Sequence, residues 1–210
     1  NSLGLLTKKD KFITSFDKQV LQNKLKDFMD SHFTDEDLSL KHNLKLKDND
    51  KWNLNRARLN IQSNGVQTDK LIKQNYRCFD ERWIYYDGDF VARLNTKVLD
   101  NVNKQSLAII STRQLAGNNF YHLFISNNIS DQCFISNKTK EGCQVFPLYL
   151  YSKTEDGIFK EKQRTPNLNQ EIVNKIAEKL GLNFTNEKEQ TIDTFAPIDI
   201  LDYIYAVLHS

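Results

Sequence analysis

Three cysteines, three prolines, seven glycines and one methionine are few for 210 residues, and the shortages narrow what the chain can be. Cys78, Cys133 and Cys143 are an odd number with no C-x-x-C spacing, which argues against a disulfide framework and a cysteine-rich zinc site and fits a reducing cytoplasm. No Gly-rich phosphate loop, G-x-S-x-G elbow or H-E-x-x-H pair occurs. Pro147, Pro166 and Pro197 are isolated, so the Asn/Asp-Pro-Pro-Tyr/Phe motif of an adenine-N6 methyltransferase is missing, and so is the Glu-x-Lys triplet of a metal-dependent nuclease. His32, His42, His122 and His209 are scattered and read as surface or core residues. No catalytic residue, metal ligand or cofactor site is therefore assigned. A run of about 18 apolar residues is lacking and no signal peptide opens the chain, so we expect a cytoplasmic protein with no membrane partner. Charge of one sign is also lacking: the net value of +2 and pI near 8.3 do not by themselves mark a nucleic-acid binder. Binding to DNA would need positive charge gathered on one face, or phosphate contacts made by another domain. The start at Asn1 and the stop at Ser210 inside a helical pattern lead us to expect a piece of a longer protein.

What the chain does have is enough apolar and aromatic material for an ordered core, 39% and 11% of its residues. Its most concentrated stretch runs from Tyr76 to Tyr86, where Tyr76, Phe79, Trp83, Tyr85 and Tyr86 surround Arg77, Asp80 and Arg82. Trp83-Ile84-Tyr85-Tyr86 reads as a strand, stopped by the Asp87-Gly88 turn. Either the arginines and aspartate pair with each other beside a core strand, or a rigid aromatic platform presents the arginines to an anion such as phosphate.

In order along the chain, Phe12-Ile13-Thr14 reads as a short strand, and a helix from Asp17 carries Val20, Leu21, Leu25, Phe28 and Met29 on its apolar side. Thr34 to Asp37 is a capping box opening a second helix. Trp52 to Leu59 forms a third, carrying Arg56 and Arg58. Residues 1–65 are thus expected to be a mostly helical connector, and 66–210 an α+β domain. Strands are predicted at 106–111, 120–126, 131–136 and 144–151, with Pro147 demoting the last towards a sheet edge or bulge. Asn95 to Asn101 reads as a helical turn, and Thr154 to Lys162 as a charged loop. Asn169 caps a helix with the face Ile172, Val173, Ile176, Ala177 and Leu180, stopped by Gly181. Pro197 opens a last helix burying Leu201, Ile204, Tyr205 and Leu208. The fold class expected is α+β, with a mixed or antiparallel sheet and helices at both chain ends.

The remaining chemistry is that of recognition. Arg113-Gln114, Asn118-Asn119, Asn127-Asn128 and Asn137-Lys138 are residue types that contact guanine or adenine edges, placed at predicted strand ends and loops. Taken singly, most of these positions are better explained as turn formers.

Three strings, in order, carry a family resemblance. Tyr76-Arg77-Cys78-Phe79-Asp80-Glu81-Arg82-Trp83-Ile84-Tyr85-Tyr86 resembles the Y-R-P-F-D-x-R-x-x-Y-Y signature of the C-terminal specificity domain of type ISP restriction-modification enzymes and related single-chain adenine methyltransferases. Val145 to Tyr151 is similar to that family's F-P-L-Y-L-Y, and Tyr203 to Ser210 to its Y-I-Y-A-V-L-H-S. The opening Gly4 to Asp10 resembles the segment leaving the methyltransferase domain. Cys78 stands where the family has Pro, and the chain stops where the family continues with P-x-Y-R-x-x-Y. The resemblance implies a target recognition domain that binds double-stranded DNA beside an upstream methyltransferase domain, which flips an adenine and holds S-adenosylmethionine. This piece itself would hold no cofactor. It implies that Arg77, Asp80 and Arg82 serve structure or phosphate positioning, because enzymes with different targets share them. Base readers are expected outside the signatures, at Arg113, Gln114, Asn118, Asn119, Lys138 and Lys140. The alternative is a docking domain that joins methyltransferase and motor or nuclease domains without touching DNA.

Overall fold

The first fifteen residues contribute a strand to each of the two four-stranded sheets. In a computed structural model that describes residues 1–43, 45, 52–104, 106–139, 141–153 and 159–210, β1 (Ser2–Leu3) joins one sheet and β2 (Thr14–Ser15) the other. Between them, α1 (Asp10–Ile13) is a single turn in which the Phe12 and Ile13 amides both bond the Lys9 carbonyl. The strand expected at Phe12–Thr14 is therefore reduced to Thr14 and Ser15, because the turn points Phe12 and Ile13 together into the core. Gly4 allows the chain to pass here: a Cβ would lie 2.5 Å from the Ser130 carbonyl oxygen.

The helices form where their caps predict. In α2 (Lys18–Met29) the Asp17 carboxylate accepts the Gln19 and Val20 amides, and in α3 (Asp35–His42) Thr34 and Asp37 complete the capping box. Asn53 caps α4 (Leu54–Asn64), whose Arg56 and Arg58 are paired with Asp89 and Asp35 at 2.7 Å each. A 3-10 turn at Thr68–Lys70 then leads into β3 (Leu71–Arg77), β4 (Asp80–Tyr85) and α5 (Thr96–Asn103). The strands β5 (Ala108–Thr112), β6 (Phe124–Ser126), β7 (Ile129–Ser130) and β8 (Cys143–Pro147) follow. One four-stranded sheet has the order β1-β8-β5-β6 and is antiparallel; the other, β2-β4-β3-β7, is mixed, since β3 and β7 run parallel.

One apolar core links helices and sheets. Phe12, Phe28, Trp52, Tyr85 and Phe90 are buried with Leu21, Leu25, Ile61, Ile84 and Val145, and the Phe12–Phe28 and Tyr85–Phe90 rings meet edge to face at 4.8 and 5.0 Å. The buried Asn75 adds a polar tie, its amide reaching Ser126 at 2.9 Å and Ser130 at 3.0 Å, so that β3 is pinned to strands of both sheets.

Two strand expectations change for local reasons. The segment expected to be a strand at Asp131–Ser136 is a turn, because the Asp131 carboxylate accepts the Cys133 amide at 2.7 Å and its carbonyl the Phe134 amide. Of Phe120–Ser126 only the last three residues are a strand. Pro147 does not mark an edge: β8 is interior, between β1 and β5. The Leu148 amide bonds Leu107, so the alternation of the ladder turns the Pro147 nitrogen away from β5, towards a side where β1 reaches only to Val145.

The carboxyl-terminal part is built of two two-stranded sheets and two helices. β9 (Tyr149–Lys153) pairs with β10 (Phe159–Pro166), so the second half of the expected charged loop is a strand, while 154–158 lie outside the described residues. Asn169 caps α6 (Gln170–Leu180), Gly181 ends it with φ +65°, and β11 (Asn183–Phe184) pairs in parallel with β12 (Thr194–Phe195). Pro197 opens α7 (Pro197–Leu208). The apolar faces of both helices are only partly used: α6 buries Val173, and α7 buries Pro197 and Leu201. Of the other expected face residues, Ile176, Ala177 and Ile204 are half-buried, while Ile172, Leu180, Tyr205 and Leu208 stay exposed. The α+β architecture expected from the sequence is the one found. Among the described residues no helix is long and apolar enough to cross a membrane.

Candidate nucleic-acid interface

The aromatic stretch is a hairpin with its charges locked together. Residues two apart on β4 share a face, so Asp80 holds the Arg82 guanidinium in a bidentate pair, Nε to Oδ1 at 2.9 Å and Nη2 to Oδ2 at 2.7 Å. That carboxylate keeps the arginine firmly in its charged form. The same guanidinium lies over the Tyr76 ring at 3.9 Å and the Phe16 ring at 4.4 Å, and the Arg77 guanidinium over the Tyr76 ring at 3.9 Å. Rings and guanidiniums thus alternate in one stack. Arg77 donates to Asp131 at 2.9 Å, and the Tyr76 hydroxyl to Asp10 at 2.8 Å. Burial and then the bond to Asp10 push the Tyr76 hydroxyl up to about 12. Burial also pushes the Asp131 carboxyl up to about 6, against the pull of the Cys133 amide and Arg77.

The internal pairing is found, and the aromatic rings add a platform under the guanidiniums. With side chains one quarter exposed, Arg77 and Arg82 keep some N–H donors unused, but their charges are already matched by Asp131 and Asp80. At the hairpin tip the two-residue turn is Cys78–Phe79. The Cys78 amide donates to the Phe134 carbonyl at 3.0 Å, a bond that the family's proline cannot make, so the tip is anchored by a different device. Phe79 has φ +60° and is 97% exposed. A left-handed conformation costs a non-glycine residue roughly 1–2 kcal/mol.

The polar loops lie at one end of the antiparallel sheet. Thr112 at the end of β5 pairs with Cys143 at the start of β8, which sets the 113–123 loop beside the 131–142 segment. Glu141 ties them together, accepting the Ala116 amide at 2.8 Å and the Thr139 hydroxyl at 2.7 Å, with His122 at 3.4 Å. These bonds, the Ala116 amide first, hold its carboxyl below the usual range. Arg113, Gln114, Asn118, Asn119 and Lys138 are all exposed on this end. Lys140 lies outside the described residues. None of those five side chains has a hydrogen-bond or ion-pair partner among the described residues, which sets them apart from Arg77 and Arg82. The Asn127-Asn128 pair is not brought to this end: it sits beyond Ser126, opposite Ala108, and Asn128 is engaged by Glu81 at 2.9 Å.

Sequence reasoning missed Glu141, Asp10, Asp131 and Phe16, whose partners lie far away along the chain. It also missed a cavity of about 560 Å³ beside Arg77, lined by Lys8, Lys9, Lys11 and Lys45 with Asp10 and Asp131 at its wall. No cluster of three or more His, Cys, Asp or Glu able to hold a metal occurs among the described residues. The cysteines are poor nucleophiles, since burial raises the thiol of Cys143 strongly and those of Cys78 and Cys133 less.

Comparison with known proteins agrees with the resemblance carried by the three strings. No match was found among curated proteins. Among solved structures, the DrdV–DNA complex superposes with a TM-score of 0.66 at 19% identity, covering 99% of this chain and 19% of that one. The ATP-dependent Type ISP restriction-modification enzyme LlaBIII bound to DNA gives 0.63 at 20% identity, covering 100% of this chain and 13% of that one. A nuclease-deletion mutant of the Type ISP enzyme LlaGI with a DNA substrate mimic gives 0.55 at 15% identity, over 99% and 15%. The fold is shared with all three, and this chain spans less than a fifth of each. The family profile named Type ISP C-terminal specificity domain matches residues 1–210, from end to end, and the chain belongs to that family.

Proposed function

We propose that this chain is the DNA target recognition domain of a cytoplasmic restriction-modification enzyme, and that it positions double-stranded DNA for adenine-N6 methylation by upstream domains. The observation that carries the reading is the row of unpartnered Arg113, Gln114, Asn118, Asn119 and Lys138 at one end of the sheet, in a family whose structural neighbours were solved with DNA. Arg113, Gln114, Asn118 and Asn119 have the donors and acceptors for base edges in the major groove. Lys138 and Lys140 supply charge for phosphates. Arg77 and Arg82, already matched by aspartates, act in holding the hairpin and at most steady a phosphate from the side. Residues 1–65 are the connector to a methyltransferase domain that binds S-adenosylmethionine, and 66–210 the recognition unit. The connector is built into the unit by β1 and Leu5.

The test is methylated-adenine sequencing with the full-length enzyme and its Arg113→Ala and Asn119→Ala variants. Altered or lost target methylation with intact cofactor binding is expected. Unchanged site selection across all the loop variants would overturn the reading.

A docking domain that joins methyltransferase and motor or nuclease domains is the second reading, favoured by the exposed apolar faces of α6 and α7 and the net charge of only +2. DNA binding that falls steeply with salt, with a slope reduced by Lys138→Ala, speaks against it.

A further inference from the structure

Phe79 breaks two local rules at once. Its φ of +60° is a conformation that bulky side chains rarely adopt, and its ring is 97% exposed, so it gives the fold nothing in return. Positions where a residue works against its own local structure are where function is expected to be found. The tip that carries the ring is also held rigidly. The Cys78 amide is bonded to Phe134, Asp80 on the other side is locked in its bidentate pair with Arg82, and Arg77 is fixed by Asp131. A ring carried on a backbone held in this way enters a gap with little further loss of backbone freedom.

Its surroundings say what kind of gap. Through the Cys78–Phe134 bond the tip adjoins the segment that runs on to Lys138 and Glu141, and Glu141 ties that segment to the loop of Arg113 and Asn119. One backbone bond thus joins the tip to the segment that leads to the proposed base readers. Its neighbours are the half-buried Cys78 and Asp80, whose charge is cancelled by Arg82, so the ring projects as an apolar point beside matched charges. An apolar patch like that on α6 and α7 suits a protein surface; a projecting apolar ring on a held backbone suits the space between two stacked bases.

We propose that Phe79 is a wedge that enters the base stack of bound DNA and unstacks one step, independently of sequence, next to the bases contacted by the two loops. This rests on the DNA-reading function proposed above. The unused N–H groups of Arg77 and Arg82 would face the phosphates flanking the opened step.

The experiment uses the full-length enzyme and a duplex oligonucleotide bearing its methylated site, with 2-aminopurine substituted in turn at each position in and around that site. Wild-type protein is expected to raise the fluorescence at one or two adjacent positions. Phe79→Gly should abolish the rise and weaken binding about tenfold on target and scrambled duplexes alike, while amide exchange in the hairpin stays as slow or becomes slower. Phe79→Leu should keep most of the signal. With p-benzoylphenylalanine in place of Phe79, crosslinking to a DNA strand is expected. A Phe79→Gly enzyme with wild-type affinity and fluorescence overturns the wedge, and so does crosslinking to protein alone. If the wild-type enzyme does not prefer its target over the scrambled duplex, the recognition function itself falls and the wedge with it. If the preference stands and Phe79→Gly has no effect, only the wedge falls.

Discussion

The helices at the two ends of the chain follow the same amphipathic code and reach different outcomes. In α2, Leu21, Leu25 and Phe28 are all fully buried, because α1, α3, α4 and β4 close over them. In α6 and α7 the apolar rows are as regular, yet Ile172 and Leu180 remain 58% and 59% exposed and Leu208 47%. Here the core proper is Leu148, Tyr149 and Leu201, and a groove of about 520 Å³ lined by Ile176, Leu180, Phe195, Ile200 and Tyr203 runs between the helices. Polar links do much of the joining: Tyr149 to the Asn186 carbonyl at 3.0 Å, Arg164 to Glu187, Lys188 to Asp199, and His209 to the Leu123 carbonyl at 3.1 Å. Sequence periodicity predicts which side of a helix is apolar, and only the number of neighbours decides whether that side becomes a core.

The contrast can be broken first at its strongest point. Phe28→Ala should cost about 3–5 kcal/mol in urea unfolding of the chain, as a large buried ring in a closed site. Leu201→Ala should cost about 2 kcal/mol and loosen only residues after 148, read by amide exchange; equal losses at the two sites would dissolve the distinction. Next in size is Asp80→Ala, which strips Arg82 of its bidentate partner while leaving the guanidinium on its two rings. We expect a loss of about 1–2 kcal/mol and faster exchange of the hairpin amides. Glu141→Ala should leave global stability nearly unchanged but raise exchange of the Ala116 amide at least tenfold, separating the two loops.

A further effect is one of pH. An unfolded aspartate titrates near 3.9, whereas burial raises native Asp131 to about 6. Between these values the native state holds the extra proton. Asp131 therefore favours folding below about pH 4, and this contribution is lost as pH rises through about 6. Asp131→Asn removes the loss, so from pH 4 to 7 the variant should gain on the wild type by at most about 3 kcal/mol, measured by unfolding at each pH.

What was legible in the sequence was local. Asp17, Thr34, Asn169 and Gly181 announced helix ends, and Trp83 to Tyr86 with Asp87-Gly88 announced a strand and its stop. The 131–136 segment misled because its apolar residues sit on a turn made by the Asp131 side chain. Pro147 misled because a proline hides equally well where a neighbouring strand has already ended. In the site, the pairing of Asp80 with Arg82 could be read from their spacing. The pairing of Arg77 with Asp131, 54 residues on, and of Tyr76 with Asp10, 66 residues back, could not, since nothing but the folded chain brings them together.

The opening segment, finally, behaves as a mechanical seam. Gly4 bonds Cys143, Leu5 bonds Ser130 and accepts from Gln132, Leu6 exchanges bonds with Arg93, and Asn95 grips the Leu3 and Gly4 carbonyls. A pull or a twist delivered at Asn1 would thus reach Cys143 and Gln132 within a few bonds, and from there the strand starts that aim both polar loops. Moving the amino terminus should re-aim the loops together, as a rudder follows its tiller, without any hinge between them.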